Sequence, residues 1–354
     1  MTDINEALLD PALEQFIRQQ IAKQYNRSSV TTDLFRKEPG MGKNVAWDIS
    51  VGTGTGQVFD DGADVGTFNT DTQVLATLAW GEYGDAFKLT GRAEDVAQFS
   101  KTELGLAFFF KMNEARERAA KKVNDDIWTG DGSGSPQKIF GITAANGPMD
   151  TAGSYGGQSR ITYPQWQGTK LGNGGIPRPI TLDTIEYGLE QSFTASGKNP
   201  TYGVTTPNVW RLLCTLVDDD RRINQDTQIR GEAIGVKLGY NAVEVNGIPV
   251  FRDISVPKGN LVFFHEPSWC VEFLPVAPSR IARGKIMATT PLAGLPQEQL
   301  MVGAPVGGPL VANIIALSSL GNYERWQLVS TLQLRNTRPN ASLWITDILA
   351  RTES

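Results

Sequence analysis

The chain has 354 residues, 40% of them hydrophobic and 20% charged, with a net charge of −5. That length supports a sizeable core and two or three packed units. The mild acidity leaves no basic footprint for tight nucleic-acid binding, and two cysteines, Cys214 and Cys270, are too few for a disulfide framework.

The first residues, "MTDINEALLD", are acidic and lack a basic start followed by an apolar run, which argues against a secretory signal. No apolar run approaches the roughly 20 residues of a membrane helix. "PLVANIIALSSLG" is too short for one and reads as a buried strand. A chain of the cytoplasm, or one assembled there, is expected, with its cysteines as buried or incidental thiols of a reducing compartment.

Leu9, Leu13, Ile17 and Ile21 recur every four residues and predict an amphipathic helix within the first 25 residues. The aperiodic "NRSSVTTDLFRKEPGMGKN" that follows reads as an arm. Residues 45–90 have few charges and many glycines, threonines and valines. Their segments "VAWDISV", "TQVLATLAWGEYG" and "AFKLTG" favour strand. The intervening "GTGTGQVFDDGADVG" cannot pack a core, so two long strands joined by a flexible tip are predicted, and such tips often carry partner contacts.

From Ser100 to Thr129 the pattern turns helical. Leu104, Phe108, Met112, Ala115, Ala119, Val123 and Ile127 share one face. Ser100 and Glu103 fit a capping box, and Gly130 and Gly132 supply the stop. At about 1.5 Å per residue this spine would be on the order of 45 Å long.

Residues 143–180 are rich in Gly, Pro, Asn and Gln, with strand-like pieces such as "RITYPQW". A helix is predicted over "TLDTIEYGLEQSFTAS". A short strand and a second helix opening at Thr206-Pro207 follow. Next comes a strand series with turns at Asn246-Gly247, Pro257-Lys258-Gly259 and Glu266-Pro267. The tail reads as two strands around Asn-Thr-Arg-Pro-Asn. Strands and helices do not alternate regularly, so the class is α+β rather than doubly wound.

Ligand and catalytic motifs fail one by one. In "GDGSGSPQKIFGI", Asp131, Ser133 and Ser135 take the first, third and fifth positions of a calcium loop. The sixth is Pro136 instead of glycine and the twelfth is Ile142 instead of glutamate. Both glycine runs, here and at Gly52, Gly54 and Gly56, read G-x-G-x-G, and neither joins a strand to a helix in the order a dinucleotide site requires. The Gly-Lys pairs at Gly42, Gly197 and Gly284 lack the rest of a nucleotide loop. The only histidine, His265, reads as a packed or hydrogen-bonded residue, and zinc sites and Cys/His nucleophile pairs lack ligands. Asp60-Asp61-Asp64 and Asp218-Asp219-Asp220 are the densest acid groups. The second, followed by Arg221 and Arg222, reads most simply as a solvated helix end or a contact between subunits. A soluble enzyme with a carboxylate pair stays open as a minor reading. No catalytic residue, cofactor or metal is assigned.

Taken in order, "LATLAWGEYGDAFKLTGRAEDVA" entering the spine, "AAKKVNDDIWTGDGSGSP" leaving it, "VNGIPVFRD" and the closing "LRNTRPNASLWITDI" give the chain a familiar plan. Over nearly its whole length it resembles the major capsid proteins of tailed bacteriophages, a fold shared with encapsulin shells. The resemblance implies an N-terminal arm (1–44), an extended β-hairpin loop over a neighbouring subunit (45–90), and a peripheral domain (91–180) with its spine helix (100–129). It further implies an axial domain (181–315) and strands returning to the peripheral domain (316–354). It implies a structural role: self-assembly into hexamers and pentamers of an icosahedral virion around double-stranded DNA. Scaffolding, portal and cement or decoration proteins would be partners, DNA would be touched weakly, and no membrane would be involved. An encapsulin-like compartment shell is the alternative.

Candidate contacts between subunits are Gly52, Gly54, Gly56, Phe59, Asp60 and Asp61 at the tip. Trp80 and Tyr83, expected near the far end of the two-strand excursion or, equally, packed at its base, and the Asp218–Arg222 block complete the set. Some relatives weld neighbours through an isopeptide bond from a lysine of the extended loop. No lysine lies between Lys43 and Lys88, so a shell without such cross-links is expected.

Overall fold

A computed structural model describes residues 30–50, 73–90, 101–134, 137–217, 223–224, 228–229, 232–233, 242–274, 288–291, 311–317 and 323–349. The predicted helix of the first 25 residues and the Ser100 cap lie outside them. The described chain opens with a five-residue helix, α1 (Val30–Leu34), and a short strand, β1 (Arg36–Pro39).

A hairpin follows, β2 (Asn44–Ser50) with β3 (Gln73–Ala79), paired antiparallel from Asn44↔Ala79 to Ser50↔Gln73. Strict alternation buries Val45, Trp47 and Ile49 and exposes Asn44, Ala46, Asp48 and Ser50. The hairpin therefore has one dry face and one wet face. β4 (Gly81–Thr90) then leaves it and runs into a larger sheet.

The spine helix, α2 (Lys101–Thr129), is 29 residues long. Met112, Ala115, Ala119, Val123 and Ile127 are buried, as the periodicity predicts. The side chains of Leu104 and Phe108 lie outside the described residues. Beyond it come the tight pair β5 (Ser154–Tyr155) and β6 (Gln158–Ser159), a 3-10 turn at Pro164–Trp166, and β7 (Thr169–Leu171). "RITYPQW" is thus turn and 3-10 helix, not strand. Pro164 sits at the start of the turn, and Arg160 is drawn inward, where its guanidinium donates to the carbonyls of Ala152 (2.8 Å) and Gly147 (2.5 Å).

α3 (Leu182–Ser196) is capped by Thr181, whose hydroxyl accepts from the Thr184 N–H, and ends at Gly197 with φ +66°. After β8 (Tyr202–Thr205), α4 (Pro207–Leu216) opens on Thr206 and Pro207. The strands β9 (Ile223–Asn224), β10 (Gln228–Ile229), β11 (Glu232–Ala233), β12 (Ala242–Val245) and β13 (Ile248–Arg252) follow. Asn246 and Gly247, at φ 51° and 75°, make the turn between the last two. The remaining strands are β14 (Leu261–Phe264), β15 (Trp269–Phe273), β16 (Ala288–Pro291), β17 (Val311–Leu317), β18 (Tyr323–Asn336) and β19 (Leu343–Ile345).

Two sheets organise the described residues. One has the order β1-β15-β18-β17-β16, with β4 also along β18; the other runs β7-β19-β14-β8-β13-β12-β9. Both are mixed, and the class is α+β. The two tail strands do not pair with each other: β18 belongs to the first sheet and β19 to the second. The largest core lies between α2, α1 and both sheets; a second lies under α3 and α4; a third, with Trp47, Tyr155 and Trp166, lies under the hairpin. Among the described residues, no helix is long and apolar enough to cross a membrane.

Candidate assembly elements

α1 is anchored through a buried polar knot. The Asp253 carboxylate sits just past β13, 2% exposed, and no salt bridge to it occurs among the described residues. It is held by donors instead. Thr31 gives both its N–H (2.9 Å) and its hydroxyl, Asn124 of α2 gives its amide, and Ser255 gives its N–H (2.9 Å). The Trp128 indole N–H donates in turn to the Thr31 hydroxyl at 3.1 Å, and the Thr32 hydroxyl donates to Asn124. A buried carboxylate without a counter-charge is tolerated only when fully hydrogen-bonded. One site thus joins α1, the spine helix and the second sheet.

Four residues on, Phe35 stacks on Trp269 (5.5 Å, 15°) and meets Phe264 edge-on (5.3 Å, 87°). β1 then pairs parallel with β15, from Arg36↔Cys270 to Pro39↔Phe273. Across this seam Arg335 binds Glu272 (2.5 Å) and Glu38 (2.9 Å), and Arg36 also binds Glu38 (2.7 Å). Burial raises the Glu272 carboxyl above its usual range; Arg335 opposes the shift and Glu38 adds to it. The Cys270 thiol beside them is pushed up to about 12, mainly by burial, and is inert at neutral pH.

The hairpin base comes next. Gly40 leaves room for a neighbour: a Cβ there would lie 2.4 Å from the Trp80 ring and 2.9 Å from the Glu272 carboxylate. The Trp80 indole donates to the Gly42 carbonyl at 3.2 Å. On its dry face the hairpin rests on residues 155–166. The Thr77 N–H donates to Gly156 (2.9 Å), the Gln158 amide to the Leu75 carbonyl (2.7 Å), and the Trp166 indole to the Tyr155 carbonyl (3.0 Å). β3 is thereby tied to this segment at Leu75 and Thr77.

These contacts place two expected residues. Trp80 and Tyr83 lie at the base of the hairpin, the second of the two places expected for them, because the antiparallel register pairs Asn44 with Ala79 there and Ser50 with Gln73 at the other end. Tyr83 is 6% exposed and its hydroxyl accepts from the Ile139 N–H at 3.0 Å. Burial holds its phenol far above the usual value, so it stays neutral. Gly52, Gly54, Gly56, Phe59, Asp60 and Asp61 lie outside the described residues, as do Asp218, Asp219, Asp220, Arg221 and Arg222.

The "GDGSGSPQKIFGI" stretch is a structural joint. The Ile142 and Thr143 N–H groups donate back to the Ile127 and Trp128 carbonyls of the spine helix (2.8 and 3.0 Å), and Gly141 donates to Gly130. A Cβ on Gly130 would sit 2.4 Å from the Ile139 carbonyl oxygen. Asp131 accepts from the Ser133 N–H and lies 3.6 Å from the Lys138 ammonium, contacts that hold its carboxyl below the usual range. Ser135 and Pro136 lie outside the described residues. Among the described residues no group of three or more His, Cys, Asp or Glu side chains could hold a metal.

Asp253, Thr31, Asn124 and Arg160 carry this architecture, and none was singled out in the sequence. The available signal was local only: "VTTDLF" before a strand and "FRD" after one.

No family model matches the chain, and no curated protein matches it. Solved structures do. Over 92% of its length, and 94% of the other chain, it is similar to a chain of the cyanophage A-1(L) capsid asymmetric unit, with TM-score 0.69 and 19% identity. The fold is that of a phage capsid subunit. The capsid of a native GTA particle matches 91% of each chain at TM-score 0.55 and 12% identity. A chain from Mycobacterium phage Bobi matches 92% of each at TM-score 0.50 and 13% identity.

Proposed function

We propose that the chain is a major capsid protein, a structural subunit rather than an enzyme. It assembles into hexamers and pentamers of an icosahedral phage head around double-stranded DNA. The observation that carries this reading is the likeness to the cyanophage capsid chain over more than nine-tenths of both chains. The architecture supports it: a glycine-rich tip on a hairpin braced at its base suits a subunit whose edges must adapt while its body stays rigid.

In this reading residues 1–44 are the arm and 45–90 the extended loop over a neighbour. Residues 91–180 form the peripheral domain with its spine, 181–315 the axial domain, and 316–354 the returning strands. Contacts between subunits are made by Gly52, Gly54, Gly56, Phe59, Asp60 and Asp61, and by the Asp218–Arg222 block. Trp80 contributes from the hairpin base, and Tyr83 supports it from within. Assembly takes place in the host cytoplasm with a scaffolding protein and a portal, and a decoration protein reinforces the shell. DNA is touched weakly and without sequence preference, in keeping with the net charge of −5.

Electron microscopy of the expressed chain tests the reading. Closed shells or capsomers are expected, and a persistent monomer at high concentration overturns it. Particles from the native source should contain DNA; a protein cargo in its place would indicate a compartment shell. Boiled shells should run as single subunits on a denaturing gel, since no lysine lies between Lys43 and Lys88. A ladder of heat-stable oligomers would refute the non-covalent shell.

A further inference from the structure

The two sheets are joined by a double elbow. After β14 in one sheet the chain passes through His265 and a 3-10 turn at Glu266–Ser268 into β15 of the other. After β18 it passes back through Arg338 and a 3-10 turn at Pro339–Ala341 into β19. β14 pairs with β19, and β15 with β18, so the two turns are two strands of one ribbon bending together. Hydrogen bonds stitch them: Thr337 N–H to the Ser268 carbonyl (3.0 Å), and the His265 N–H (3.3 Å) and Trp269 indole N–H (2.8 Å) both to the Ser342 hydroxyl.

His265 is the only histidine of the chain and sits at the start of this elbow. Its Nδ1 is buried and meets no hydrogen-bond partner among the described residues. The charged groups that act on it are Arg338 from the opposite turn, Lys198 from the segment after α3, and Glu266 beside it. Two are cations and one is an anion. Neutral, the half-buried ring leaves only an idle lone pair at Nδ1. Protonated, it would carry a buried N–H with no acceptor next to two positive charges.

We propose that His265 is an acid-sensitive brace of the elbow: neutral imidazole keeps the paired turns closed, and protonation loosens them. Burial, Arg338 and Lys198, in that order, hold the imidazole below its ordinary value of 6.5, and Glu266 only partly opposes them. A depressed folded value means that this stabilisation is complete above the ordinary value and is lost as pH falls through the folded one. Each unit of depression corresponds to about a tenfold preference of the closed elbow for the neutral ring.

Two measurements on the full chain test this. Proton NMR of the single imidazole should give a midpoint below the ordinary histidine value, and Arg338→Gln should move it upward. Hydrogen exchange, corrected for intrinsic pH dependence, should be several-fold faster at pH 5 than at pH 7.5 in residues 266–269 and 337–342. That acceleration should vanish in His265→Gln. An imidazole titrating at or above its ordinary value overturns the proposal, as does acid-accelerated exchange that persists in His265→Gln. Should His265→Gln fail to fold, the Arg338→Gln midpoint decides, since Arg338 is exposed.

Discussion

Thr31→Val tests whether the Asp253 knot holds the arm. The change keeps the side chain's shape but removes its hydroxyl. Two bonds go with it: the one donated to the buried Asp253 carboxylate and the one accepted from the Trp128 indole. A hydrogen bond to a charged group contributes about 1.5–3 kcal/mol, and a buried donor left without an acceptor costs about 1–3 kcal/mol. Thr31 and Trp128 are both 0% exposed, so water cannot substitute for either partner. The added methyl of valine offsets roughly 0.8 kcal/mol. A net loss of about 3 kcal/mol is expected, a large part of a typical domain's stability of about 5–15 kcal/mol. Thr31→Ser keeps the hydroxyl and loses one methyl, so it should cost about 1 kcal/mol. Urea unfolding of the unassembled chain, followed by tryptophan fluorescence, measures both. If Thr31→Val matched Thr31→Ser to within about 0.5 kcal/mol, the hydrogen-bond argument would fail and packing alone would hold the arm.

Gly130→Ala should destabilise the subunit by about 2 kcal/mol or more, because backbone oxygens of Ile139 and Asp126 occupy the space a Cβ needs. Gly197→Ala meets no neighbour and should cost only about 1 kcal/mol for its left-handed backbone, so thermal unfolding should rank the two in that order. Arg160→Met should cost about 2–3 kcal/mol by leaving the Gly147 and Ala152 carbonyls unpaired. Proteolytic cuts in residues 143–168 would report that loosening, and an unchanged digestion pattern would count against the clamp. The raised Glu272 carboxyl gives stability that is present below its ordinary value of 4.5 and lost as pH rises through the folded value. Denaturation midpoints of wild type should therefore fall relative to Glu272→Gln as pH rises above 4.5, and parallel profiles would remove Glu272 as the cause.

Much of the fold was legible because its signals are local. The spine helix appears in the three- and four-residue steps of Met112 to Ile127, its stop in Gly130 and Gly132, and the hairpin strands in alternation around Trp47 and Ala76. Thr206-Pro207 and Asn246-Gly247 marked their helix start and turn where they occur. "RITYPQW" misled because its alternation looks like strand, while an inward Arg160 and Pro164 make it a turn. Trp80 and Tyr83 could be read at either end of the excursion, because only the pairing register says which end of a hairpin meets the body.

The candidate assembly elements divide along the same line. Periodicity, turn residues and the absence of a loop lysine are properties of short stretches, and the sequence alone determined them, together with the capsid-like order of elements. The Asp253 knot joins residues 31, 124, 128 and 253, and the Arg335 seam joins 36, 38, 272 and 335. Such contacts span up to 297 residues of chain, and no local pattern announces them. Only tertiary structure decided them, because a buried carboxylate can be satisfied by any donors the fold delivers, wherever in the chain they arise.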